Sequence, residues 1–146
     1  MEIIIRKAEP EDFEEIYRLI REFSTFIKTP EKVTITPEQM LQDKDCFNCF
    51  IAVDNNKKIV AFATWFIAYY SWTGKAIYLD DLYVLEKYRG LGIGSKLLDQ
   101  LIATAKEENC KKLRWQVSNW NKKAIEFYKM RGAVINDIEI NCDLKL

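Results

Sequence analysis

Arg89-Gly90-Leu91-Gly92-Ile93-Gly94 decides how this chain of 146 residues is read. Before it runs Lys75 to Val84, an apolar stretch with strand character. After it, Leu97, Leu98, Leu101, Ile102 and Ala105 recur at the spacing of one helix face. Glycines between a strand and a helix let an anion approach the backbone, because no Cβ stands in the way. The first N–H groups of the helix are unpaired and point outward with the helix dipole behind them, so a phosphate fits there. A Walker A loop requires Gly-x-x-x-x-Gly-Lys-Ser/Thr, which is absent. A dinucleotide turn requires Gly-x-Gly-x-x-Gly, but Ser95 takes the last position of a frame starting at Gly90, and too little βα chain follows. On this stretch alone, a bare strand-to-helix connection without a ligand stays open.

Outward from the turn, the pattern gives an ordered series of elements. Ile3 to Arg6 is a strand. Pro10 with Glu11, Asp12, Glu14 and Glu15 opens a helix whose inner face is Phe13, Ile16, Tyr17, Ile20 and Phe23. Thr36-Pro37-Glu38 starts a short helix ending near Asp43. Phe47 to Val53 and Lys58 to Tyr70 form a hairpin about the turn Asp54 to Lys57. Ser71 to Gly74 turns the chain into the Lys75 to Val84 strand. Lys112 to Val117 is a strand, and Asn121 to Arg131 a helix stopped by Gly132. Ala133 to Ile135 and Ile138 to Asp143 read as two short closing strands. No linker or repeat interrupts the order. The expectation is one domain over residues 1–146, of α/β (mixed α+β) class, with a mixed sheet of six to seven strands and about four helices.

Composition narrows the chemistry. Lys plus Arg and Asp plus Glu both number 22, so no basic excess points to nucleic acid. The most apolar stretch, Ile59 to Tyr70, is too short for a membrane span, and the first residues do not resemble a secretion leader. A cytoplasmic protein without a membrane partner is expected. The chain has no histidine, which excludes Ser-His-Asp and Cys-His triads and histidine-ligated metals. Cys46 and Cys49 have Cys-x-x-Cys spacing, but Cys110 and Cys142 lack the paired spacing that would complete a zinc site. No metal is expected, and the cysteines read as small core residues in a reducing compartment.

Three stretches together resemble the GNAT N-acetyltransferases. They are Tyr78 to Val84, Tyr88 to Lys96, and Trp120-Asn121 through Phe127-Tyr128 to Ala133. Within them, Arg89, Gly92 and Gly94 match the Arg/Gln-x-x-Gly-x-Gly/Ala signature of that family. Trp72-x-Gly74-Lys75 and the stretch from Tyr78 to Lys96 are similar to the diamine (spermidine/spermine) and thialysine acetyltransferase branch. The resemblance implies acetyl-coenzyme A as cosubstrate and a homodimer. It implies that Leu82, Tyr83 and Val84 offer backbone groups to the pantetheine amides. Gly90, Leu91, Gly92, Ile93, Gly94 and Ser95 would bind the pyrophosphate, with Arg89 and Lys96 adding charge. Asn121, Lys122, Lys123, Ala124 and Arg131 would line the rest of the coenzyme site.

The implied reaction is attack of a small-molecule primary amine on the thioester. The amine is protonated at neutral pH and needs a base. Asp80 is the candidate, because desolvation within a sheet raises a carboxyl towards a useful range. Asp80 and Asp81 are adjacent, so regular alternation turns only one of them to the amine unless a bulge re-aims the other. Tyr128 is the candidate general acid for the departing thiolate. Phe26, Ile27, Trp72, Asp81, Arg114, Trp115 and Gln116 are the implied acceptor-site residues. Phe26, Ile27 and Tyr70 stand where polyamine enzymes carry acidic or polar groups, which suits a diamine or a lysine-like amino acid better than a long polyamine. Arg114 would pair with the carboxylate of such an amino acid. A protein or peptide acetyltransferase and a non-catalytic acyl-coenzyme A-binding module are the alternative functions.

Overall fold

Continuous apolar runs buried on both faces give this chain its central strands, and a 3.6-residue apolar period gives its helices. The computed structural model describes all 146 residues, in two compact units, Met1–Gln116 and Val117–Leu146. The first unit contains the strands β1 (Ile4–Lys7), β2 (Asn48–Val53), β3 (Ile59–Tyr70), β4 (Gly74–Val84) and β5 (Lys112–Trp115). Its helices are α1 (Phe13–Phe26), α2 (Pro37–Gln42) and α3 (Ile93–Glu107). The second unit contains α4 (Lys122–Met130). The sheet runs β1-β2-β3-β4-β5. The first four strands pair antiparallel, and β5 lies parallel to β4. A parallel pair cannot be closed by a tight turn, and α3 provides the crossover.

The sheet has five strands rather than six or seven. The stretches 133–135 and 138–143 form none, and Val134, Ile138 and Ile140 stand exposed. An alternating pattern becomes a strand only where a neighbour supplies ladder bonds and a face to bury, and these residues have neither. The expected strand to Val117 likewise stops at Trp115.

On one face of the sheet, Phe13, Ile16 and Leu19 of α1 pack with Met40, Ile51, Phe62 and Tyr83. On the other, Ile93, Leu97, Leu98, Leu101 and Ala105 of α3 are buried. Each such Leu or Ile contributes roughly 1.5–3 kcal/mol relative to exposure. Arg6 anchors the start of α1 through a two-pronged bond to Asp12 at 2.8 and 2.9 Å, which holds the Asp12 carboxyl below its ordinary range. Of the four cysteines only Cys49 is a core residue; Cys46 and Cys142 are exposed. No helix is long and apolar enough to cross a membrane.

Candidate active site

The register of β3 against β4 slips once. Thr64 faces Asp81, but the next β3 residue, Trp65, faces Leu79, so Asp80 is an extra residue. This is a β-bulge. Partners across a ladder share a face, and Thr64 and Trp65 point to opposite faces. Leu79 therefore lies on the Trp65 face, while Asp80 and Asp81 both lie on the Thr64 face. Tyr83, two residues further on, shares that face and stacks on Phe23 of α1 at 5.0 Å. The opposite orientation expected of adjacent carboxylates is cancelled by this one-residue slip.

Burial, and secondarily the charge of Asp80, pushes the Asp81 carboxyl up to about 7. Burial also raises Asp80, although that residue keeps solvent contact. Two carboxyls on one face, one of them raised to near neutrality, have the chemistry of a proton acceptor. Tyr78 continues the same face, opposite Phe66, on which it stacks at 5.0 Å, and opposite Arg114 of β5. Burial raises the Tyr78 phenol. Tyr70 closes the row, with the Arg114 guanidinium and the Lys112 ammonium each 4.5 Å from its ring centre. Trp115 pairs with Leu79 and so belongs to the other face. Gln116 is exposed beyond the end of β5. Phe26 ends α1 and is exposed, Ile27 is its half-buried C-cap, and Trp72 is 97% exposed in the β3–β4 turn.

Beside this face, β4 has an open edge. Its pairing with β5 stops at Leu79, yet β4 runs on to Val84. Leu85 donates its N–H to Val60 on the β3 side at 2.9 Å. Backbone direction alternates along a strand, so Leu82 and Val84 turn their N–H and C=O groups to the open edge. Tyr83 directs its own towards β3, which sets it apart from its two neighbours in the expected backbone trio. The Val84 carbonyl accepts the Arg89 Nε–H at 2.9 Å. The Arg89 guanidinium lies 4.7 Å from the Phe26 ring centre and 5.5 Å from that of Tyr83. The Tyr83 hydroxyl donates to Glu22 at 2.8 Å, and burial together with this bond pushes the phenol up to about 12.

The edge leads into the glycine turn. Gly90 and Gly92 have φ of 77° and 81°, left-handed values that other residues adopt at a cost, and Gly92 is the N-cap of α3. A Cβ added at either would meet nothing within 4 Å, so the space before the helix is open. The N–H groups of Ile93, Gly94 and Ser95 fall in the first turn, where no intrahelical acceptor exists, and no acidic residue occupies that turn. Ile93 buries its side chain and offers only its backbone, whereas Leu91 and Lys96 are exposed. An open cradle of donors at a helix N-terminus, adjoining a free strand edge, fits a ligand with a pyrophosphate and amides.

Residues 13–133 match the family described as Acetyltransferase (GNAT) family. The chain belongs to this acetyltransferase family. It is 34% identical over 140 residues to the mouse (Mus musculus) thialysine N-epsilon-acetyltransferase, covering 88% of this chain and 82% of that one. It is 37% identical over 140 residues to the human (Homo sapiens) spermidine/spermine N(1)-acetyltransferase-like protein 1, covering 89% of this chain but 20% of that longer protein. The fold is shared with an aminoglycoside acetyltransferase from an uncultured soil metagenomic sample, at a TM-score of 0.82 and 22% identity over 98% of this chain and 97% of that one.

In the second unit of this acetyltransferase, Asn121 caps α4 by accepting the Ala124 N–H at 3.3 Å. Lys122, Lys123 and Arg131 are exposed and Ala124 is half-buried. Tyr128 is buried, its ring 5.3 Å from that of Phe127. No group of three or more His, Cys, Asp or Glu side chains is arranged to hold a metal. Sequence reasoning passed over Thr64, Phe66 and Tyr78 as site residues. The available signal was a lone hydroxyl inside the apolar run Ile59 to Trp65.

Proposed function

We propose that this acetyltransferase moves the acetyl group of acetyl-coenzyme A to the primary amine of a small molecule by direct attack in a ternary complex. One observation carries the reading: the acidic pair Asp80-Asp81 shares one face of β4 beside the strand edge that runs into the glycine turn. Leu82 and Val84 would pair with the pantetheine amides as with an added strand. The turn from Gly90 to Ser95 would bind the pyrophosphate, with Arg89 and Lys96 nearby. Asn121 to Ala124 and Arg131 are assigned to the coenzyme by resemblance.

In the reaction, the ammonium first gives a proton to a carboxylate, and the freed amine nitrogen attacks the thioester carbon. A C–N bond forms, the C–S bond breaks, and the second nitrogen proton replaces the one that the departing thiolate takes up. Asp80, in contact with solvent, is the proposed base through a water, and Asp81 is its partner in holding the cationic amine. Tyr128 is the proposed donor of a proton to the departing thiolate. The acceptor we propose is a lysine-like amino acid. Arg114 lies opposite Tyr78, two residues from Asp80, roughly 7 Å along the strand. Arg114 and Lys112 over Tyr70 thus form a cationic end for a carboxylate, with the acidic pair as an anionic end for the amine. Thialysine acetyltransferases among the relatives agree with that reading. Phe26, Ile27 and Trp72 would bound the acceptor site. A cytoplasmic homodimer is our further reading, supported by resemblance and by the exposed apolar residues Ile138, Ile140 and Leu144; light scattering reads its mass.

Release of free thiol from acetyl-coenzyme A, screened against lysine, thialysine, diamines, polyamines and peptides, tests the proposal. Turnover with the amino acids, reduced by Arg114→Gln through a higher KM for them, is the expected result. Turnover on peptides alone would point to a protein acetyltransferase, and coenzyme binding without thiol release to a non-catalytic module.

A further inference from the structure

We propose that Thr64 is the positioning residue of the acidic pair: its hydroxyl accepts the Asp81 N–H at the β4 bulge, and so holds Asp80 and Asp81 together on one face. The inference rests on the reading of that pair as the proton-accepting part of the site.

A bulge disrupts the regular bonds between two strands. At this one, the Asp81 N–H donates to the Thr64 side chain at 3.1 Å. Thr64 is buried, and a buried N–H without an acceptor is costly. Its hydroxyl is the only one in the buried run Ile59 to Thr64, and it stands at the register position that faces the slip. Without the hydroxyl this bond is lost and the two carboxyl-bearing residues of the bulge are free to turn apart; the ladder itself cannot close, because a one-residue slip would turn Leu82, Tyr83 and Val84 to the wrong faces.

The Thr64 hydroxyl is the side-chain group that faces this N–H. From β2, Cys49 pairs with Thr64, but its thiol contacts the Phe50 carbonyl, and burial pushes it up so that it stays neutral. The other charged or titratable groups on this face are Tyr78 on β4, Tyr70 on β3, Lys112 and Arg114 on β5, and Tyr83 with Glu22 of α1 and Arg89 at its far end.

The test compares Thr64→Val, which keeps shape and loses the hydroxyl, with Thr64→Ser, which keeps the hydroxyl. Thr64→Ala is a second hydroxyl-free variant in case valine does not fold. Three readouts are taken: the pH profile of kcat/KM for the amine, acetyl-coenzyme A affinity by calorimetry, and thermal midpoint. The valine and alanine variants are expected to lose about tenfold in kcat/KM for the amine. Their acidic limb should move to lower pH, as one carboxyl leaves the other, with coenzyme affinity within about twofold of the parent. Serine should restore both rate and profile. A parental profile in valine or alanine, or a serine variant as impaired as they are, overturns the inference. Parallel loss of coenzyme affinity also overturns it, because the damage would then be general. Asp80→Asn and Asp81→Asn run alongside separate the layers. If neither alters the profile, the reading of the acidic pair falls; if they alter it and Thr64→Val does not, only the role of Thr64 falls.

Discussion

Replacing Asp81 by Asn should stabilise the protein more at pH 8 than at pH 5. Its carboxyl is moved from the usual 3.8 to about 7, burial being the larger cause and Asp80 the smaller. A carboxyl whose pKa is raised by folding is tolerated while neutral and penalised once ionised. Stability is therefore full below the unfolded value near 3.8, falls as pH rises towards the folded value, and is flat above it. The penalty is between 1 and 2 kcal/mol at pH 5 and about 4 kcal/mol at pH 8. Solvent at the half-buried carboxyl reduces both figures, leaving a difference of about 2 kcal/mol. Urea unfolding of parent and variant at the two pH values measures it, and comparing the differences cancels whatever asparagine does independently of pH. Equal effects at pH 5 and pH 8, or a larger gain at pH 5, would refute the argument that folding forces this carboxyl towards its neutral form.

Gly92→Ala should cost about 1–2 kcal/mol of stability through its left-handed backbone, since its Cβ meets open space. Its acetyl-coenzyme A affinity should fall as well; unchanged affinity by calorimetry would separate the turn from coenzyme binding. Tyr128→Phe should lower turnover more than it weakens coenzyme binding, read from kcat beside a binding isotherm. Equal loss of both would remove its role as general acid.

Much of this architecture was legible because it rests on local chemistry. Apolar runs bounded by turn residues marked β2 through β4 within a residue or two, and Leu97, Leu98 and Leu101 marked the inner face of α3. The glycine turn was legible because left-handed backbone favours glycine. The bulge was not. A one-residue slip leaves almost no trace in composition, and Asp80-Asp81 reads as an ordinary alternating pair until the partner strand fixes the register. The stacking of Tyr78 on Phe66 and the gathering of Lys112 and Arg114 on Tyr70 also depend on register between strands distant in sequence. The closing strands failed for the converse reason: residues 138–143 alternate well, but alternation cannot report whether a neighbour is there to pair with.

The bulge also separates what the fold requires from what the chemistry requires. Before it, Ile77 and Leu79 face away from α1; after it, Leu82 and Val84 do so. The apolar residues thus change phase at one position, and that position is Asp80. A β4 shortened by this single residue would keep every other cross-strand pairing and present the same apolar face to α3. The architecture would close around the gap as a regular ladder. Asp80 is surplus to the sheet, and the sheet has been built one residue out of step to carry it.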